Sequence, residues 1–252
     1  MKMTIGIRCG TRWLLVAAVA VTGLSSEVLA GSYECIIEPH VEVEVSSAAS
    51  GIVERVEVKR GDPVKKGQVL LRLVSGVELA EHELAKARAE FATRKNARNA
   101  DLVEEQLISS NEKDQIETEE LLAKLELRES RERLARRTVR SPIDGVVAEV
   151  DIAPGEYVSD EGIMRLAQLH PLNVEVVVPV SMFGTIDRGM EAVVRPEPPF
   201  DQDREAKVVI VDKVVDAASG TLGVRLELPN SDRALPGGLK CTVTFPGVGS
   251  GS

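Results

Sequence analysis

Aromatic residues are scarce in this chain of 252 residues, which has one tryptophan, two tyrosines and four phenylalanines. Trp13 lies in the N-terminal apolar stretch and the others are scattered, so there is no stacking platform for bases or sugars. Cysteine is rarer still, with three residues. No close cysteine pair and no His-Glu-Xaa-Xaa-His run occurs, and His40, His82 and His170 are far apart, so a dedicated metal site is not expected. A nucleophile elbow and a phosphate-binding loop are also absent, and no catalytic residue can be named. Asp144, before Gly145, reads as a turn residue. Positive charge is outnumbered: the net charge is −9, which argues against broad contact with nucleic acid or anionic lipid.

Long apolar runs are confined to the start. Lys2, Arg8 and Arg12 form a positive region before Trp13–Leu24, a run too short to span a bilayer comfortably, and Val28–Ala30 puts compact residues at a cleavage position. Residues 1–30 therefore read as a secretory signal peptide, with an uncleaved anchor as the alternative. Three basic residues and Glu27 make this leader +2, so the remainder carries −11. Cys35 lies too far past Ala30 for a lipoprotein signal. With Cys9 removed, Cys35 and Cys241 remain, and an even count in an exported chain invites a disulfide between them; two buried free thiols are the alternative.

What the chain does contain is a split repeat. GIVERVEVKRGDPVKKGQVLLRL, Gly51–Leu73, is echoed by GVVAEVDIAPGEYVSDEGIMRL, Gly145–Leu166. Each half alternates β-branched and apolar residues, with RGD (Arg60–Asp62) matching PGE (Pro154–Glu156) as a turn. Two such halves facing each other make a small flattened barrel or sandwich. From Val77 to Arg140 there is no glycine or proline, and strong helix formers dominate. Leu84, Phe91 and Arg98 recur in heptads with Ala80 and Ala87 beside them; Ile116 with Ala123, and Leu127 with Leu134, do the same further on. One unbroken helix would hold the halves on the order of 90 Å apart, so the chain must fold back. The break is expected in Leu107–Asp114, where Ser109 with Glu112 forms a capping box. The result is an antiparallel coiled-coil hairpin roughly 40 Å long.

The C-terminal part reads as strands: Pro171–Val180, Ala206–Asp216, Gly220–Asn230 and Gly238–Phe245, with a helical turn and a strand between Met182 and Arg195. Proline and glycine punctuation suggests a small antiparallel β-barrel. Tyr33–Pro39 could add a strand from the other end, which would bring Cys35 close to Cys241. The fold class is mainly β with a long helical hairpin. Its divisions are 1–30 signal peptide, 31–40 strand joining the barrel, 41–75 first β half, 76–140 hairpin, 141–169 second half, 170–246 barrel and 247–252 flexible tail.

This organisation resembles the periplasmic adaptor, or membrane fusion, proteins of the HlyD-like family. The resemblance rests on the split lipoyl-like halves around a hairpin, on SPIDGVV (Ser141–Val147) and PGEYV (Pro154–Val158), and on DAASGTLGVRLELPN (Asp216–Asn230) and LPGGL (Leu235–Leu239). It also rests on the hairpin turn, where RNADLVEEQLIS puts Arg98, Leu102 and Ser109 at the spacing of adaptors that dock on TolC-type channels. The resemblance implies a split barrel-sandwich hybrid domain, a hairpin and a barrel. It further implies a non-enzymatic adaptor in the periplasm, joining an inner-membrane transporter, favoured as resistance-nodulation-division type, to a TolC-type channel. The adaptor would act as a homo-oligomeric ring without cofactor, metal or nucleic acid. Arg98 would donate to the channel, Leu102 would be an apolar anchor, and Ser109 a cap or polar contact. The family's membrane-proximal domain is expected to be absent.

Two other readings stay open. A lipoyl or biotinyl carrier subunit needs an exposed lysine at the turn joining its halves, where this chain has the helical insertion; Lys65 and Lys66 lie elsewhere and read as solvated. A periplasmic scaffold module of an ATP-driven exporter is the second.

Overall fold

In chain order the elements are β1 (Ala30–Ser46), β2 (Gly51–Val56), β3 (Pro63–Val64), β4 (Val69–Leu73), α1 (Gly76–Glu104), α2 (Ser110–Ala135), β5 (Thr138–Arg140), β6 (Gly145–Val150) and β7 (Tyr157–Val158). They continue with β8 (Gly162–Pro179), β9 (Glu191–Pro196), β10 (Arg204–Val211), β11 (Thr221–Leu228) and β12 (Leu239–Gly249). The computed structural model describes residues 30–104 and 107–249. The expected signal peptide, all but Ala30, lies outside the described residues, as does the end of the expected tail.

β1 and β8 are far longer than the other strands, with 17 and 18 residues. They pair antiparallel from Cys35 opposite Val176 down to Ser46 opposite Gly162. At one end β12, β9, β10 and β11 complete the circuit between them, and the β1–β8 pairing closes a six-stranded antiparallel barrel. Its core holds Ile37, Leu172, Val174, Val194, Val208, Leu226 and Phe245. At the other end β6 joins β8, β3 joins β6, and the sheet β5-β4-β2-β7 packs across them. That second core holds Val53, Val64, Leu70, Leu71, Leu73, Val147, Met164 and Leu166 and shares no residue with the first. The two repeats are thus the two halves of one domain. Their turns match in detail, since Gly61 and Gly155 take φ of +90° and +92°, a left-handed conformation that favours glycine.

The expected boundaries shift in three places. The hairpin ends at Ala135, not Arg140, because Thr138–Arg140 is recruited as an edge strand on β4. Residues 247–249 of the expected tail belong to β12, which reaches Gly249 opposite Ala30. The divisions at 40/41 and 169/170 fall inside β1 and β8, so the domains are not joined by linkers. A register irregularity at Pro39–Val41 marks the passage from one core to the other. Here Asn230 is buried and fully used: its side-chain amide donates to Leu169 O and Leu235 O, both at 2.9 Å, and its Oδ1 accepts from Leu235 N at 3.1 Å. Its own N–H donates to His170 Nδ1, and Asn173 Nδ2 donates to His40 O.

The helices form an antiparallel hairpin, but the expected seam of α1 is on the wrong face. Leu84 and Phe91 are each 53 % exposed, and Ala80, Ala87 and Arg98 also face solvent. The buried row is Ala85, Ala89 and Ala92, extended in the same 3–4 rhythm by half-buried Glu78, His82, Asn96 and Asn99. Small side chains let the helices approach closely but bury little apolar area. On α2 the expected positions do lie on the seam: Ile116 is buried, and Ala123, Leu127 and Leu134 are half-buried. The phase is testable. Ala89→Leu overpacks the seam and should destabilise the hairpin by about 1–3 kcal/mol. Phe91→Ser, on the exposed face, should stay within about 0.5 kcal/mol. Urea unfolding followed by helical circular dichroism compares the two; equal costs would put the seam back at Phe91.

Candidate functional site

The free end of the hairpin and the clamps that hold it are the candidate site. α1 runs through Leu102 to Glu104, and the amide of Leu107 donates back to Leu102 O at 2.9 Å, closing the turn. Ser109 is the N-cap of α2: its Oγ accepts from Glu112 N at 3.2 Å, satisfying one of the helix's free amides. Leu102 is half-buried beneath the turn, and Leu107 is 65 % exposed at its apex. Arg98 is exposed one turn before Leu102. Leu102 and Ser109 therefore both lie at the tip, while Arg98 lies on the outer flank, on the face that carries Phe91. Ser109 is engaged by its own helix and Arg98 is solvated.

Below the tip, polar clamps replace an apolar seam. Glu120 accepts from Lys124 Nζ at 2.6 Å, from Asn96 Nδ2 at 2.6 Å and from Thr93 Oγ1 at 2.9 Å, two of these across the helix pair. Chiefly the Lys124 hydrogen bond, then those from Asn96 and Thr93, hold its carboxyl at about 2, well below the usual carboxylate range. Ion pairs line one flank: Lys95–Glu119 at 2.6 Å, Arg88–Glu126 at 2.7 Å and Arg133–Glu81 at 3.0 Å. Being exposed, each contributes about 0–1 kcal/mol; their role is register. At the base, Arg137 donates to Glu78 and to Ser50 O, tying both helices to the strand that opens the β-domain. Glu78 is shifted below its ordinary value, first by its own backbone N–H and then by Arg137, against the opposing effect of burial.

Cys35 and Cys241 face each other across β1 and β12, both buried, with their Sγ atoms joined. Lys65 and Lys66 are exposed in the turn before β4. Of the histidines, His40 and His170 come to the same junction but hydrogen-bond to asparagines, and His82 meets Ser130 Oγ at 3.3 Å in the hairpin. Neither the Glu120 cluster nor the Glu78–Arg137 clamp was evident in the sequence. Glu120 lies in the acidic run Glu117–Glu120, which by sequence reads as a solvated helix face, and only its place on the 116–123–127 row marks it out.

A profile of the CzcB-like barrel-sandwich hybrid domain matches residues 41–168, and one of the CusB-like β-barrel domain matches 172–248. An uncharacterized protein of Haemophilus influenzae is 22 % identical over 198 residues, 78 % of this chain and 52 % of its own length. The antibiotic efflux pump periplasmic linker protein ArpA of Pseudomonas putida is 27 % identical over 216 residues, 78 % of this chain and 57 % of its own. The chain thus spans about half the length of the curated relatives it matches. A crystal structure of a MacA–MexA chimera with the Pseudomonas aeruginosa MexA α-hairpin superposes with a TM-score of 0.74 at 20 % identity, covering 85 % of this chain and 80 % of that one.

Two outcomes test the clamps. Because Glu120 titrates lower in the folded chain than its ordinary 4.5, its contribution is complete above that pH and lost as pH falls toward about 2. Thermal unfolding between pH 5 and pH 2.5 should therefore show a hairpin transition whose acid sensitivity is reduced in Glu120→Gln. For the cysteine pair, 206 residues apart, Cys35→Ala with Cys241→Ala should cost up to about 5 kcal/mol through the entropy of the freed chain. An unchanged denaturation midpoint after reduction of the wild type would remove that role.

Proposed function

This chain belongs to the membrane fusion protein family, carrying its barrel-sandwich hybrid and β-barrel domains, and on that footing we propose that it is a non-enzymatic periplasmic adaptor of an efflux or secretion system. In this reading it is exported by the leader at residues 1–30. It links an inner-membrane transporter to a TolC-type outer-membrane channel by assembling as a ring. A transporter of the resistance-nodulation-division type is favoured by the barrel segments Asp216–Asn230 and Leu235–Leu239.

The observation that carries this reading is the hairpin itself. Helices of 29 and 26 residues make a rod of about 40 Å that leaves the β-domain from one clamp, so its far end has no duty in the fold. The rod is rigid where it leaves the domain, at Arg137, Glu78 and Ser50, and offers an apolar apex at Leu107. Helical tips packed end-on against helical tips of a channel suit such an apex. Arg98, exposed near the tip, would supply a cation for carbonyls or carboxylates of the channel. Leu102 anchors the turn from below, and Ser109 holds it in shape as a cap. Both β cores are filled by apolar side chains, with Phe245 and the bridged Cys35 and Cys241 in the first, and no lysine stands at a turn that joins the two halves directly.

Photo-cross-linking in cells from a probe at Leu107 or Ile108 tests this. A product with an outer-membrane channel is expected, and Arg98→Asp should abolish it while export and fold are kept. No product from a normally exported chain would end the docking role of Arg98, Leu102 and Ser109.

A further inference from the structure

The two repeats are alike in backbone and opposite in charge. Residues 51–73 contain six basic and three acidic side chains, whereas residues 145–166 contain five acidic side chains and one basic, Arg165. The difference sits at matching turns. Lys59 and Arg60 before Gly61 stand where the second repeat has Ala153 and Pro154, Asp62 is matched by Glu156, and Lys65 and Lys66 before Gly67 stand against Asp160 and Glu161 before Gly162. Lys59, Arg60, Lys65, Lys66, Glu156, Asp160 and Glu161 are exposed, and none enters an ion pair among the described residues.

The fold sends the two sets to opposite ends of the domain. The basic turn lies against the start of β6, where Gly61 N donates to Val147 O and Val147 N to Asp62 O. The acidic turn lies against the start of β2, where Gly155 N donates to Val53 O and Val53 N to Glu156 O. β2 runs from the acidic turn to the basic one, which separates them by about 20 Å at strand rise. The acids native to the basic end accept locally, Asp62 from the Lys59 amide and Asp144 from the Lys66 amide; at the acidic end Glu156 accepts from the Ala153 amide, while Asp160 and Glu161 have no such bond among the described residues. The acidic end is reinforced by Asp151 and by Glu44, whose side chain lies against Gly162. It also carries an uncovered apolar patch. Ile52 and Tyr157 face each other across β2 and the edge strand β7 and are 50 % and 68 % exposed; Val74, 52 % exposed, bonds to the same strand.

We propose that this acidic, Tyr157-centred end docks on the Lys59–Arg60–Lys65–Lys66 end of a second copy of this chain. The complementary partner is written on the same domain, so no other protein need be invoked for the charge match. A contact between different ends is head-to-tail, and repeated it closes a ring where the successive rotations close without a rise along the axis. The basic side chains can neutralise the acidic turn and lie over the Tyr157 ring. The proposal rests on the ring reading above and supplies its contacting surfaces.

Copies of the full chain with Lys66→Cys and copies with Asp160→Cys, co-expressed in cells and treated with a bis-maleimide, should give a dimer-sized product that neither gives alone. Lys65→Glu with Lys66→Glu should weaken this association about tenfold or more, and Asp160→Lys with Glu161→Lys in the same chain should restore it. Rescue by the double swap excludes misfolding as the cause. A general amine cross-linker that yields a ladder of wild-type chains, with no 66–160 product, overturns this interface and leaves the ring. No ladder and no product overturns both.

Discussion

The pairing of β1 with β8 over their whole length is the constraint on which the rest depends. It closes the barrel at one end and forms part of the split domain at the other, so one register serves two cores. A slip of one residue would turn Ile37, Val174 and Val176 out of the first core and Val45, Met164 and Leu166 out of the second. Strands shared in this way leave no linker to flex. The two domains meet instead at the Pro39–Val41 irregularity, where the asparagine knot around Asn230 occupies the polar groups the bulge would leave unpaired. The cysteine bridge lies on the barrel side of that junction, between the first and last strands. Constraint is therefore concentrated in the β base.

The hairpin is built on the opposite principle. Among the described residues its seam buries Ile116, half-buries Leu127 and Leu134, and is otherwise mainly alanines and polar side chains. Helices with so little apolar burial are held mainly by anchorage at one end and by cross-helix polar contacts along their length. Arg137 supplies the anchorage, reaching Glu78 at the start of α1 and the backbone before β2. Larger apolar groups that could have thickened the seam, Leu84, Phe91, Leu121, Leu122 and Leu125, are on outer faces. Such side chains are kept from water only by something outside the hairpin, which suits an element that works within an assembly.

That arrangement also explains what was legible in the sequence. The split repeat was readable because period-2 alternation and the glycine turns are local signals, and both halves gave the same answer. The barrel strands were readable for the same reason, and Ser109 as a cap through its spacing to Glu112. The phase of α1 was not, because hydrophobic periodicity finds the stripe with the largest apolar residues, and here that stripe, Leu84 and Phe91, is the uncovered one. On α2 the larger residues do lie on the seam, and the same procedure placed it. Thr138–Arg140 was absorbed into the hairpin because only its tertiary partner, β4, makes it a strand. Glu120 and Arg137 depend on residues more than twenty positions away, and no local pattern reports such contacts.

Charge supplies the last link between sequence and assembly. Copies of a chain with net charge −9 repel one another at long range, and salt near physiological strength screens that repulsion beyond about 8 Å. Within that distance only local distribution matters. A duplicated unit with equal charge at both ends would offer like against like. Here the halves have kept their glycines and buried valines, which the fold requires, and differ at the exposed turns, which it does not. Divergence confined to positions without a folding duty is free to respond to what lies outside the chain. The turns that cap the two repeats are therefore where the internal symmetry of the domain becomes direction.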